Sequence, residues 1–290
     1  MTMSTFTAEG IAQNAMEYLR ASGYNRIAES DALRPELVGL ELYDQPIFGF
    51  GRANDPMFEE LRRPEAVHPG FVLPQEWLEH GETVISFFFP FTKAIREANG
   101  RAMDWPADEW LHGRIEGQEL LNGYARHLCQ LLQTAGWEAI APSLDPRFQM
   151  LGRFVSNWSE RHVAYICGLG TFALSRGLIT EKGIAGRFGS VVTNCPFPAT
   201  KRPYTGLTEY CISCGKCAKN CPAGAIDPGR GILNAKDQSR CAQFVSSTRQ
   251  PPCGPEGKIR YGCGKCQVNV PCEAGIPMHV LPLIQAYYLE

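Results

Sequence analysis

The chain has 290 residues, 44% of them hydrophobic, and a formal net charge of -2. That is enough apolar material for one large domain or two modest ones, and the near-neutral balance gives no general nucleic-acid-binding surface. The N-terminal segment lacks a basic start, an apolar centre and a twin-arginine pair, and the longest apolar run, residues 83–91, is short and broken by Pro90, so export and a membrane span are excluded and a reduced, cytoplasmic setting is expected.

In chain order, residues 8–22 predict a helix with Ile11, Ala15, Tyr18 and Leu19 on one stripe. Residues 52–79, rich in Pro and charge, predict irregular structure. Residues 84–89 form an apolar run short enough to be a buried strand. Residues 108–135 predict the longest helix, with Leu111, Ile115, Leu121, Tyr124, Leu128 and Leu132 inward and Gly136 placed to stop it. Residues 137–142 and 190–194 are two further strands, and a last helix starts near His279, with Val280, Leu281, Leu283, Ile284 and Tyr287 as its apolar side. The alternation implies an α/β or α+β sandwich over residues 1 to about 200, followed by a cysteine-rich segment.

That segment carries the chemistry. Cys211, Cys214, Cys217 and Cys221, followed by Pro222, make a C-x2-C-x2-C-x3-C-P run. In two-cluster ferredoxins the first three thiolates of such a run hold one cubane and the fourth reaches a second cluster. The pattern therefore demands a second set downstream, and Cys241, Cys253, Cys263, Cys266 and Cys272 supply it. A lone C-x2-C would fit zinc equally well; the full run with a matching second set points to two 4Fe–4S clusters. Cys211, Cys214 and Cys217 take Cys272 as their fourth partner. Cys221 joins Cys263, Cys266 and either Cys241 or Cys253. Cys241 is preferred, because Ser239–Arg240–Cys241 starts a helix while Cys253 sits in a Pro/Gly loop. Lys216 and Lys265, one inside each C-x2-C, are expected to offset cluster charge. Cys129, Cys167 and Cys195 are expected to be plain buried thiols. Exposed cubanes are oxygen-sensitive, so an anaerobic or microaerobic host is expected.

A cluster module needs only about 60 residues of this length, so residues 1–200 must use the electrons. The stretch from Arg161 to Asn194 is dense in glycine (Gly168, Gly170, Gly177, Gly183, Gly186, Gly189), either as turns between strands or as a backbone flat enough to lie against a planar ligand. Gly168-Leu169-Gly170 followed by Ala173 is a relaxed dinucleotide fingerprint, but the acidic ribose contact is missing.

The order of these motifs resembles the epoxyqueuosine reductase and reductive dehalogenase superfamily. It runs from a GLG segment through Leu-Ile-Thr and an F-G-S-V-V-T strand to the cysteine run and a later G-C-x-x-C-Q. The resemblance implies an α+β, nitroreductase-like core at 1–200, a two-cluster ferredoxin-like domain at 201–278 and a C-terminal helix at 279–290. It also implies cobalamin, bound base-off, whose Co(I) state is a supernucleophile or one-electron reductant. By position, Gly168, Leu169, Gly170, Thr171, Ser175, Thr180, Gly189 and Ser190 would contact the corrin ring. Arg240–Cys241 matches the family's arginine–cysteine pair. Implied partners are a ferredoxin- or flavodoxin-type electron donor and a small-molecule substrate.

The chain also departs from the family. The aspartate that serves epoxyqueuosine reductases as proton donor falls near Phe154 here, and the second set ends Cys266-x5-Cys272-Glu273 in place of C-x3-C-P. The helical-repeat tail that grips tRNA is missing, so tRNA is set aside as a partner. Glu160, His162 and Tyr165 are the replacement acids. Glu160 also suits a helix first turn, and Tyr165 a core position. Arg187 is placed to meet an amide or phosphate of a cofactor. The reading is a cobalamin-dependent iron–sulfur reductase. The alternatives are an electron-transfer protein without corrinoid and a reductive activator of a corrinoid protein.

Overall fold

The structure, a computed structural model, describes residues 6–278 and residue 280. Its elements are α1 (Ala8–Ala21), β1 (Ile47–Arg52), α2 (Met57–Glu60), α3 (Pro74–Trp77), β2 (Thr83–Pro90), α4 (Lys93–Arg101), α5 (Asp108–Thr134), β3 (Ala139–Ile140), α6 (Glu160–Ile166), β4 (Gly170–Phe172), β5 (Leu178–Thr180), β6 (Gly186–Thr193), α7 (Lys216–Lys219) and α8 (Gln238–Ser247). The fold is a mixture of helix and antiparallel sheet. The expected C-terminal helix lies almost wholly outside the described residues. Among those residues, no helix is long and apolar enough to cross a membrane.

One sheet organises the molecule, in the order β1-β2-β6-β3, with every neighbour antiparallel. β2 (TVISFFFP) is buried along its whole length, as a central strand covered on both faces must be. Its alternate side chains divide between two cores. Ile85, Phe87 and Phe89 join α1 and α5 through Ile11, Leu120, Tyr124 and Leu128. Val84 and Phe88 join α6 and the β4–β5 hairpin through Trp158, Val163, Ile166 and Ile179. The period of two along the strand thus becomes a helix layer on each side.

The helices end where side-chain chemistry ends them. Thr7 caps α1, its Oγ1 accepting from Gly10 N–H at 3.0 Å. α5 stops at Thr134, and Gly136 takes φ +92 while its N–H reaches Gln133 O. The strand expected at 137–142 shrinks to Ala139–Ile140, because Pro142 opens a 3-10 turn. The strand expected at 190–194 begins earlier, at Gly186, which pairs with Pro90. β1 was not anticipated. Its sequence, IFGFGR, hides an edge strand whose glycines exist because Cys167 presses on them; a Cβ at Gly49 would meet Cys167 O at 2.3 Å.

The cysteine-rich segment does not close on a core of its own. Tyr204, Tyr210, Cys217, Ile226, Ala235 and Val270 belong to the core beneath α6, and Val268 to the one beneath α5. The clusters' surroundings are therefore built by the whole chain.

Candidate functional site

Eight cysteines surround two cavities. Cys211, Cys214, Cys217 and Cys272 line one, with Ser175, Ile179 and Val270. Cys221, Cys241, Cys263 and Cys266 line the other, about 170 Å³, with Trp110, Arg114, Gly186, Arg187 and Phe244. The two sets face each other through Cys217 and Cys266, whose thiolates interact electrostatically. Cys253 lies in neither. It bridges Lys258 across a turn, and that turn is pulled onto the N-terminal segment by buried Arg260, which pairs with Glu116 at 2.6 Å and Asp31 at 3.3 Å. Among the described residues, no three His, Cys, Asp or Glu groups converge tightly enough for a single metal ion.

Local structure explains each placement. Asp237 caps α8, its Oδ1 accepting from Ser239 and Arg240 N–H at 2.9 and 3.0 Å, so Cys241 rides the first turn of a helix. Cys272 is returned to its partners by Ile184 N–H, which donates to Cys272 O at 3.0 Å, and by Arg96 pairing with Glu273 at 2.9 Å. That return is possible only because Gly183 sits at φ +84, where a Cβ would meet Glu273 O at 2.1 Å.

Burial, then neighbouring thiols, pushes Cys217, Cys263 and Cys272 up to about 12. Four such thiols can shed their protons together only when a multivalent cation replaces the lost charge. A four-iron cubane does so, and the donor sets fit it.

Two loops carry these sets, and they share a sequence: Cys214-Gly215-Lys216-Cys217 with Asn220, and Cys263-Gly264-Lys265-Cys266 with Asn269. Both glycines are left-handed, φ +70 and +68, and each opens one helical turn. The repeat is legible in the sequence. Lys265 also behaves differently from expectation. Its Nζ is fully buried and donates to Asn99 O, Asn99 Oδ1 and Ala102 O, each at 2.7 Å. It clamps the end of α4, and burial lowers its pKa to about 8. Lys216 stays exposed.

The glycine-rich stretch is packed inward. A Cβ at Gly170 would land 1.8 Å from Ile179 O across the β4–β5 hairpin, and one at Gly189 would strike the Phe87 ring. Thr171 and Thr180 are fully buried and spend their hydroxyls on Tyr210 N–H and Gly183 O. Ser190 is held between Trp158 and Glu160. Gly168 meets Thr200, and Leu169 is buried beneath α6. Of the set expected to face a ring, Ser175 borders the first thiol cavity. These glycines answer to the chain's own close approaches.

The three proposed acids are likewise engaged. Ser190 Oγ donates to Glu160 Oε2 at 2.6 Å, with Ser143 and Trp158 also against the carboxyl; burial outweighs them and raises this carboxyl above the ordinary range. His162 Nδ1 contacts Ser159 Oγ at 2.7 Å, and burial lowers the ring to about 4. Tyr165 Oη donates to Thr205 O at 3.2 Å.

Open space lies beside α8. That helix turns Cys241, Phe244 and Val245 to the second thiol cavity. It turns Ser239, Arg240, Gln243, Ser246 and Ser247 to a groove of about 800 Å³, bounded opposite by Arg153. Arg187 is half-buried, and burial depresses its guanidinium below the usual arginine value; Arg161 is exposed, donates Nη1 to Arg176 O at 2.8 Å and is drawn electrostatically to Cys266 and Cys241.

The comparisons agree with this architecture. A 4Fe–4S binding domain model matches residues 207–227. An epoxyqueuosine reductase of Lactococcus garvieae is 30% identical over 259 residues, 81% of this chain and 67% of that protein. The chain belongs to the epoxyqueuosine reductase and reductive dehalogenase superfamily. Its epoxyqueuosine reductase relative in Bacillus anthracis is 33% identical over 129 residues, 43% of this chain and 32% of that one, so the matched region spans about a third of that relative's length. Among solved structures, the catabolic reductive dehalogenase NpRdhA shares the fold, with TM-score 0.50 at 15% identity, covering 97% of this chain and 39% of that one. One expectation is overturned. An epoxyqueuosine reductase with a tRNA-Tyr epoxyqueuosine-modified stem loop also matches, with TM-score 0.49 and 18% identity over 94% of this chain and 69% of that one. The curated relatives named epoxyqueuosine reductases remove the ground for setting tRNA aside.

Proposed function

We propose that the chain is a cobalamin-dependent iron–sulfur reductase built on a nitroreductase-like sheet, with a ferredoxin-like segment at 201–278. The observation that carries the reading is the pair of four-thiol cavities lying side by side. Cys211, Cys214, Cys217 and Cys272 hold one cubane, and Cys221, Cys241, Cys263 and Cys266 the other. Side-by-side clusters relay single electrons along the chain.

The corrinoid belongs in the groove beside α8. Ser239, Arg240, Gln243, Ser246 and Ser247, with Arg153 across from them, offer hydroxyl, amide and guanidinium groups to a macrocycle fringed with amides. Bound there, it would supply a reducible cobalt. Arg161, beside Cys241 and Cys266, offsets the charge that the thiolates bring. Glu160 is the group that holds a transferable proton, at Oε1, while Ser190 fixes Oε2. Neutral His162 cannot serve as an acid near pH 7. The substrate is sought first among epoxyqueuosine-bearing tRNA stem loops and small organohalides, the classes named for the relatives.

The test is anaerobic reconstitution with cobalamin, read by visible absorption and EPR. A base-off Co(II) signal that requires protein, and that is lost in Gln243→Trp while the iron content is unchanged, supports the reading. Iron uptake with no cobalt uptake contradicts it and leaves an electron-transfer protein. Glu160→Gln is expected to keep cobalt uptake and lower turnover.

A further inference from the structure

Three arginines gather around one tyrosine beside the second thiol cavity. Arg114 and Arg249 pack on the Tyr261 ring, their guanidinium carbons 4.5 and 4.6 Å from its centroid. Arg187 interacts electrostatically with both Arg114 and Tyr261. Among the described residues, none of the three forms an ion pair with a carboxylate. Arg114 Nε is buried with no partner at all. Arg187 spends only Nε, on Gln118 Oε1 at 2.6 Å, so its terminal amino groups stay free. Arg249 is exposed, and the other three side chains are half-buried.

A guanidinium lying face-on against an aromatic ring keeps its N–H donors in its own plane, pointing away from the ring. Two such groups on one tyrosine, with a third beside them, present more donors than the Tyr261 oxygen and the neighbouring thiols can accept, and among the described residues no carboxylate pairs with them. Like charges this close repel, and the repulsion persists until an anion joins them. A tetrahedral oxyanion matches best, because its several oxygens accept from more than one fork, which a planar carboxylate does less well.

We propose that Arg114, Arg187 and Arg249, gathered around Tyr261, form a binding site for a phosphate group. Arg114 and Arg187 also line the second thiol cavity, so the bound phosphate stands beside the redox centre. Its source is either the phosphodiester in the nucleotide tail of the corrinoid, which rests on the function proposed above, or a separate phosphate ester.

The experiment uses the cluster-loaded chain and inorganic phosphate at fixed ionic strength, followed by calorimetry. Saturable binding is expected in the native chain and in Arg20→Gln. Arg20 is a charge control on α1, which packs against Tyr124 and His127, well along α5 from Arg114. Arg249→Gln should weaken binding roughly tenfold or more, as the loss of a charged hydrogen-bond donor does. Its iron content should not change, since Arg249 does not border the thiols; Arg114→Gln should weaken phosphate in the same way. No saturable binding, or equal affinity in Arg249→Gln, overturns the site. A second arm compares cobalamin with cobinamide, which lacks the phosphodiester tail. A preference for cobalamin that Arg249→Gln abolishes identifies the tail as the source. Phosphate that binds alongside either corrinoid, with no such preference, identifies a separate ester. If neither corrinoid binds, the function proposed above fails, and the phosphate titration still decides the site.

Discussion

The loops at 214–217 and 263–266 have the same four residues and the same left-handed turn, yet they sit in different physical worlds. The first is open: Cys214 and Lys216 face solvent, and a Cβ added at Gly215 would meet nothing within 4 Å. The second is enclosed: Lys265 is fully buried on the end of α4, and a Cβ at Gly264 would lie 2.0 Å from the Trp110 indole. Asn269 extends the clamp, its Nδ2 donating to Gly100 O at 2.7 Å, whereas Asn220 reaches Val268 O and Asn269 O, both within the cysteine-rich segment itself. One loop is held by its own neighbourhood and the other by the sheet domain. The second loop is thus the one anchored on α4 and Trp110, and its set is also the one beside the groove, while the first set meets the sheet domain through Cys272.

The largest test of that contrast is the lysine pair. Lys265→Met leaves the α4 carbonyls of Asn99 and Ala102 without their buried donor and should destabilise the chain by about 3–5 kcal/mol, with loss of iron from the second set. Lys216→Met should stay within about 0.5 kcal/mol. Denaturant unfolding of both variants checks this, and equal costs would erase the distinction. The glycines come next. Gly264→Ala combines overpacking against Trp110 with a left-handed alanine, for about 2–4 kcal/mol; Gly215→Ala carries only the backbone cost, about 1 kcal/mol. A smaller effect isolates the sheet domain from the loops. Burial lowers His162 to about 4 in the folded chain, so between that value and about 6.5 the unfolded chain binds a proton that the folded chain does not. Stability should therefore fall as pH drops through that window, at up to about 1.4 kcal/mol per unit. His162→Asn should remove the slope.

What could be read from the sequence follows the range of the forces involved. The cysteine spacing is local chemistry, and the eight cysteines it singles out line two cavities in the fold. Cys241 could be favoured over Cys253 because a helix start is a local signal. β2 and α5 were legible because their burial patterns are periodic. The glycines are ambiguous in the sequence, since a backbone pressed by its own chain and one pressed by a ligand demand the same residue. Ile179 O and Phe87, the groups that require Gly170 and Gly189, lie on other strands. Lys265 was misjudged for a related reason: its partners on α4 are 163 and 166 positions away. The arginines around Tyr261 come from α5, β6 and the cysteine-rich segment, and no sequence window contains them.

The most direct test of the two-cavity account is iron counting after anaerobic reconstitution, with EPR of the reduced protein, in Cys241→Ser and Cys253→Ser. The account predicts about eight irons and two interacting cubane signals in the native chain and in Cys253→Ser. It predicts about half that iron and a single signal in Cys241→Ser. Full loading of Cys241→Ser together with loss in Cys253→Ser would contradict it.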